Sequence, residues 1–138
     1  MVKGAFVAVV VLIGLAVVMT PPATPQSSGP VYELRIYTAP EGMLPALLAR
    51  FRDHATKLFQ KHGMENVGYW VPADPPQSRT TVYYILKHKS RAAAMASWDA
   101  FWKDPEWIKV QKESEATGKI VDKMESIFMT PTDFSKLK

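Results

Sequence analysis

The sequence predicts an α+β domain of ferredoxin-like plan, βαββαβ, and three observations carry that prediction. Val31-Tyr32-Glu33-Leu34-Arg35-Ile36-Tyr37-Thr38 is dense in β-branched and aromatic residues and alternates charged with apolar side chains, as a strand half-buried in an open sheet does. Met124-Glu125-Ser126-Ile127-Phe128-Met129-Thr130-Pro131 repeats that character near the other end. Between them, two stretches of helical periodicity enclose two further strand-like runs. This order places helices on one face of a four-stranded antiparallel sheet.

Each element has its own local cause. Pro40-Glu41-Gly42 turns the chain after the first strand. Apolar residues then recur as Leu44, Leu47, Leu48, Phe51, Ala55, Leu58 and Phe59, one face of a helix running to His62. Gly63 supplies its left-handed C-terminal cap. Val67-Gly68-Tyr69-Trp70-Val71 reads as a second strand stopped by Pro72, and Thr81 to Leu86 as a third, rich in β-branched and aromatic residues. Ser90 caps a helix whose inner face carries Ala94, Met95, Trp98, Phe101 and Trp102. Asp104-Pro105-Glu106-Trp107 restarts a helix, with aspartate as cap and proline in the first turn. That helix ends at Thr117-Gly118, and a final strand runs from about Val121 to Met129.

The N-terminus is of a different kind. Lys3 precedes an uncharged run from Gly4 to Met19, closed by Thr20-Pro21-Pro22, the layout of a secretory signal. An uncleaved membrane anchor over residues 4–19 is the alternative, because no clean small-x-small cleavage site follows. Sixteen residues of helix span about 24 Å, short of the roughly 30 Å hydrocarbon core. Export to the periplasm or medium is therefore the expectation, with residues 1–20 as the signal or anchor. Thr20 to Pro30 holds four prolines and no charge and reads as a linker, residues 21–30 of the domain plan. The folded domain is residues 31–138, and it carries 16 Lys and Arg against 13 Asp and Glu. That small excess is scattered rather than striped, which argues against nucleic-acid binding. The absence of cysteine removes disulfides, thiolate nucleophiles and cysteine-based zinc sites together.

Five pieces of this domain occur in a telling order: Tyr32-Glu33-Leu34-Arg35-x-Tyr37, His62-Gly63, Val67-Gly68-x-Trp70, Asp104-Pro105-x-Trp107 and Met124-Glu125-Ser126. With these the chain resembles the NIPSNAP family over nearly all of residues 31–131. The resemblance implies a homodimer, two subunits packing their sheets face to face into a dimeric α+β barrel. Many members carry a histidine, and two residues later a tryptophan, on the third strand. Tyr84 and Leu86 stand at those positions here, so no role resting on that histidine carries over. Related dimeric α+β barrels bind planar ligands between helices and sheet, and some oxidise aromatic compounds without a cofactor.

Few polar groups offer chemistry. His54, at the edge of the apolar face between Phe51 and Leu58, is either a boundary residue or a base pointing into the cleft between helix and sheet. His62, in the last helical turn, fits a cap. His88, between Lys87 and Lys89, reads as a solvent-facing loop residue. Three scattered histidines without a close carboxylate repeat make a poor case for a metal site, and without a Gly-rich phosphate loop or zinc motif no cofactor is expected. Arg35 and Glu125 lie on strands that neighbour one another in the ferredoxin-like order and are expected to pair at or near the dimer interface. The aromatic residues crowd into Tyr69 to Trp107. They form either a core or the lining of a flat pocket by Trp70, Trp98, Trp102 and Tyr84. Two classes of function follow: a module holding a small hydrophobic or aromatic ligand, or a cofactor-independent oxygenase or isomerase with His54 as base and Tyr84 as oxyanion donor. A structural interaction module with its cleft filled by side chains is the third reading.

Overall fold

A computed structural model of the chain describes residues 29–138. The signal or anchor segment and most of the linker lie outside the described residues. Four strands, β1 (Val31–Thr38), β2 (Glu65–Trp70), β3 (Thr81–His88) and β4 (Lys123–Met129), form one antiparallel sheet in the order β2-β3-β1-β4. This is the ferredoxin-like order the sequence predicts. The first helical stretch is α1 (Leu44–Arg50), a π-helical turn (Phe51–Ala55) and α2 (Thr56–Lys61); the second is α3 (Arg91–Trp102) and α4 (Pro105–Ser114). Among the described residues no helix is long and apolar enough to cross a membrane.

Sequence and local chemistry agree at the helix ends. The Ser90 hydroxyl accepts from the Ala93 N–H at 3.0 Å, and the Asp104 carboxylate accepts from the Glu106 N–H at 2.8 Å. Gly63 closes α2 with φ of +78°, a conformation that favours glycine. Asp104 also ties the two helical stretches together, with Lys61 Nζ at 2.8 Å and His62 Nε2 at 2.7 Å. Lys61 and His62, with the Glu106 N–H, hold its carboxyl well below the usual carboxylate range. His62 does sit at the C-cap of α2, and its ring links that end to the start of α4.

The core lies between helices and sheet. Leu47, Phe51, Leu58 and Phe59 from the first helical stretch meet Trp98, Phe101, Trp107 and Val110 from the second over Tyr37, Val82, Tyr84 and Leu86. Successive side chains of a strand alternate between faces, so the register assigns the two sides. Glu33, Arg35 and Tyr37 of β1 lie opposite Leu86, Tyr84 and Val82 of β3, under the helices. Leu34, Ile36, Tyr83 and Ile85 occupy the other face with Ile127 and Trp70. Trp70 is 52% exposed there. Its ring folds back over Gly68, where an added Cβ would meet the ring at 2.5 Å. Residues after β4 return over one end of this outer face, and the carbonyl oxygen of Lys138 accepts from the Tyr32 hydroxyl at 3.0 Å.

Candidate functional site

Two adjoining features on the inner side of β1 make up the candidate site: a buried ionic network and an aromatic-walled cavity. The network centres on Glu33, which is 1% exposed. Oε1 accepts from Arg35 Nη1 at 2.8 Å and from the Ser126 hydroxyl at 2.6 Å. Oε2 accepts from Trp98 Nε1 at 2.7 Å and bonds His88 Nε2 at 2.8 Å. Residues from β1, β3, β4 and α3 thus converge on one carboxylate. Burial by itself would push the Glu33 carboxyl up, but bonds from His88, Ser126, Trp98 and Arg35 overcome it and bring it down to about 2.

Arg35 extends the network along the strand. Its guanidinium lies 4.2 Å from the Trp98 ring centroid, and Nη2 donates to the Tyr37 hydroxyl at 3.0 Å. Burial works against its charge, but the tyrosines at 84 and 37 and the Glu33 carboxylate more than compensate and raise it above its ordinary value. Arg35 is therefore a fixed cation.

Tyr37 leads to the cavity. A space of about 320 Å³ is lined by Tyr37, Trp102, Trp107, Val121 and Met124, with Arg50, Gln111 and Glu115 along α1 and α4. Lys119 and Asp122 of the loop before β4 complete it. Arg50 Nη1 meets Glu115 Oε1 at 3.0 Å, and Lys119 Nζ meets Asp122 Oδ1 at 3.4 Å. Trp102 and Trp107 stand edge to face, with centroids 5.9 Å apart. The walls are therefore flat and apolar, and the rim charges are neutralised in pairs.

The structure separates several residues that the sequence reading grouped. Trp102 lines the cavity and is 40% exposed, while Trp98 lies behind it, its ring stacked on Trp102 at 5.6 Å. Trp70 is on the opposite face of the sheet from both, registered against Tyr83. Tyr84 is wholly buried, stacked between Phe59 and Tyr69, with no hydrogen-bond partner for its hydroxyl. Burial, with Tyr37 adding to it, pushes that phenol well above its ordinary range. His54 is exposed on the π-helical turn, in a groove shared with Arg50 and Glu113. The cleft expected to bring His54 and Tyr84 together is filled by Phe51, Phe59 and Phe101, so the pair is not assembled.

Two further expectations are corrected. Arg35 and Glu125 do not pair: β1 and β4 register Arg35 against Ser126 and Glu125 against Ile36. The one-residue offset puts the two charges on opposite faces. Glu125 bonds Lys123 on the outer face at 2.8 Å, and Arg35 belongs to the interior. His88 is not in a solvent-facing loop; it is the last residue of β3 and is buried against Glu33. A signal was present, because Val82, Tyr84, Leu86 and His88 continue one alternation that a strand ending at Leu86 cuts short. Among the described residues no group of acidic and histidine side chains could hold a metal ion.

Sheet order, helix placement and this inner network define a ferredoxin-like α+β domain. Its sequence matches the NIPSNAP family model over residues 32–136, and the chain belongs to that family. Among solved structures, a NIPSNAP family protein of unknown function from Agrobacterium tumefaciens superposes with a TM-score of 0.68 at 22% identity, covering 81% of this chain and 96% of that one. A second from the same organism gives 0.68 at 21% identity, with 79% and 99% covered. An uncharacterised NIPSNAP-like domain protein from Burkholderia xenovorans gives 0.67 at 15% identity, with 78% and 90% covered. No curated protein matches the chain.

Proposed function

We propose that this NIPSNAP domain works as a homodimer that binds small planar apolar molecules in the cavity beside Tyr37. The carrying observation is the cavity itself: about 320 Å³ walled by Tyr37, Trp102, Trp107 and Met124. Ligand pockets of roughly 300 Å³ and more, lined by aromatic residues with a few placed polar groups, are the common form of small-molecule sites. The network behind the cavity supports the reading. It fixes Trp98 and, by stacking, the wall residue Trp102, so the site is largely formed in advance.

Pairing of subunits rests on the outer sheet face. Leu34, Ile36, Tyr83, Ile85, Ile127 and Trp70 share that side, and a contiguous apolar sheet face calls for a partner. A second copy supplies the same surface, as the family's barrel arrangement implies. Export is proposed from the uncharged run Gly4–Met19 alone.

The test uses protein purified from the cells that make it. Native mass spectrometry and sedimentation are expected to give a dimer, and Leu34→Glu or Ile127→Glu to give monomers. Titration with 2-ethylnaphthalene is expected to show saturable binding that Trp102→Ala weakens at least several-fold. A monomer at tens of micromolar would overturn the pairing, and an absence of saturable binding would overturn the ligand reading. N-terminal sequencing of the same sample decides export with cleavage: a mature start after Met19 supports it, and an intact Met1 removes it.

A further inference from the structure

We infer that the end of the domain where β1 begins and β3 and β4 finish is a docking surface for an anionic lipid bilayer. Lys87, Lys89 and Arg91 stand where β3 passes into α3, and Lys136 and Lys138 lie in the tail after β4. The tail is fixed beside them. The Lys138 carbonyl oxygen accepts from Lys87 Nζ at 2.6 Å as well as from Tyr32, and Lys138 Nζ donates to the carbonyls of Thr132 and Asp133. Among the described residues none of these five cations forms an ion pair, whereas Lys103, Lys109, Lys119 and Lys123 elsewhere each meet a carboxylate. The exposed carboxylates on the same strand ends and tail are Glu65, in register with Lys87, and Asp133. Five cations against two carboxylates make up the whole excess of 16 Lys and Arg over 13 Asp and Glu in the domain. That excess is scattered in the sequence, and the fold collects it.

Apolar surface joins the charge. Phe134 is 85% exposed, and Leu137, between Lys136 and Lys138, is more than half exposed. Apolar side chains set among lysines suit the boundary between headgroups and acyl chains, where ammonium groups meet phosphate and the apolar groups leave water. A nucleic-acid duplex would ask for charge alone. The route of the chain points the same way. Val31 enters β1 opposite His88, so the uncharged run Gly4–Met19 joins the domain at this end, through residues 20–30. That stretch reaches about 40 Å at most when fully extended. A run kept in the bilayer holds the basic end close to the same surface, and a cleaved one leaves the patch to dock alone. The cavity beside Tyr37 lies toward the far end of β1, by Lys119 and Asp122, and stays clear of this surface.

The test uses the full chain purified from the cells that make it. The sequence has no cysteine, so Phe134→Cys carrying a nitrobenzoxadiazole dye reports on this surface alone. Lys112→Cys on α4 carries the same dye as a control away from it. Each is mixed with phosphatidylcholine vesicles made with or without about 30% phosphatidylglycerol. The dye at 134 is expected to shift to the blue and brighten on the anionic vesicles only, and the dye at 112 to stay unchanged. Residues 4–19, where retained, act on both vesicle types alike, and the dye senses only its own surroundings. Each cation near an anionic surface strengthens binding about fivefold, so adding Lys89→Gln and Lys136→Gln should raise the anionic lipid required roughly 25-fold. Both lysines are exposed, which keeps the fold out of the comparison. An unchanged dye at 134, an equal response on neutral vesicles, or a lipid requirement unmoved by the two substitutions overturns the inference. So does a response to a DNA duplex in place of vesicles, which would make this a nucleic-acid surface. None of these results touches the ligand cavity or the pairing of sheets.

Discussion

Replacing Glu33 is the perturbation with the most determined outcome. In Glu33→Ala the carboxylate that accepts from Arg35, Ser126 and Trp98 and bonds His88 disappears, and Arg35 is left charged beneath the helices. Removing one partner of a buried ion pair costs about 3–5 kcal/mol. A domain of this size is stable by roughly 5–15 kcal/mol, so the variant is expected to lose a fifth of its stability at the least. Glu33→Gln keeps the shape and part of the acceptor capacity but turns an NH₂ toward a donor, and about 2–3 kcal/mol is expected. The pH dependence gives a sharper check. Glu33 titrates at about 2 in the fold against 4.5 for the ordinary group. A depressed carboxyl pKa stabilises the fold above the unfolded value, and that contribution disappears as pH falls through the folded value. At about 1.4 kcal/mol per unit, roughly 3 kcal/mol of stability should drain between pH 4.5 and pH 2. Urea unfolding of native and Glu33→Gln protein from pH 2 to 7 isolates this contribution from that of Asp104, since Asp104 is present in both. The stability gap should be full above pH 5 and shrink toward pH 2. A gap independent of pH would refute the reasoning, because the network would then not depend on the carboxylate charge.

Tyr84→Phe should be neutral or raise stability by about 1 kcal/mol, since the hydroxyl it removes is buried without a partner; a higher urea midpoint at unchanged m-value is the expected reading. A loss beyond 1 kcal/mol would mean that the hydroxyl has a bonding role. Ser90→Ala should cost about 1 kcal/mol by freeing the Ala93 N–H at the start of α3. Thermal melts check this, and Ser90→Asp should restore most of the loss.

The elements and their order were legible in the sequence because they follow from local causes. The caps at Ser90 and Asp104, the cap glycine Gly63, the helical spacing of Leu44 to Phe59 and the alternation of β1 each act within a few residues. The ferredoxin-like order follows from that sequence of elements, and the family's motifs sit on them. The candidate site was legible only in part. Trp98 and Trp102 could be singled out from composition and spacing, whereas the acceptor shared by Trp98, His88, Ser126 and Arg35 could not.

The alternation of β1 was determined by the sequence, but the face that met the helices was not. A run with Glu33 and Arg35 on one side and Leu34 and Ile36 on the other places the apolar side inward when the strand is considered alone. The tertiary structure reverses this: the charged side lies inside and the aliphatic side outside. The physical reason is that a buried charge is acceptable only where its partners converge, and those partners come from β3, β4 and α3, far apart in sequence. Register then decides the rest, because a single residue of offset between β1 and β4 sends Arg35 to Ser126 and Glu125 to the outer face. The sequence alone specified which side chains alternate; long-range strand pairing chose which of them would form the site.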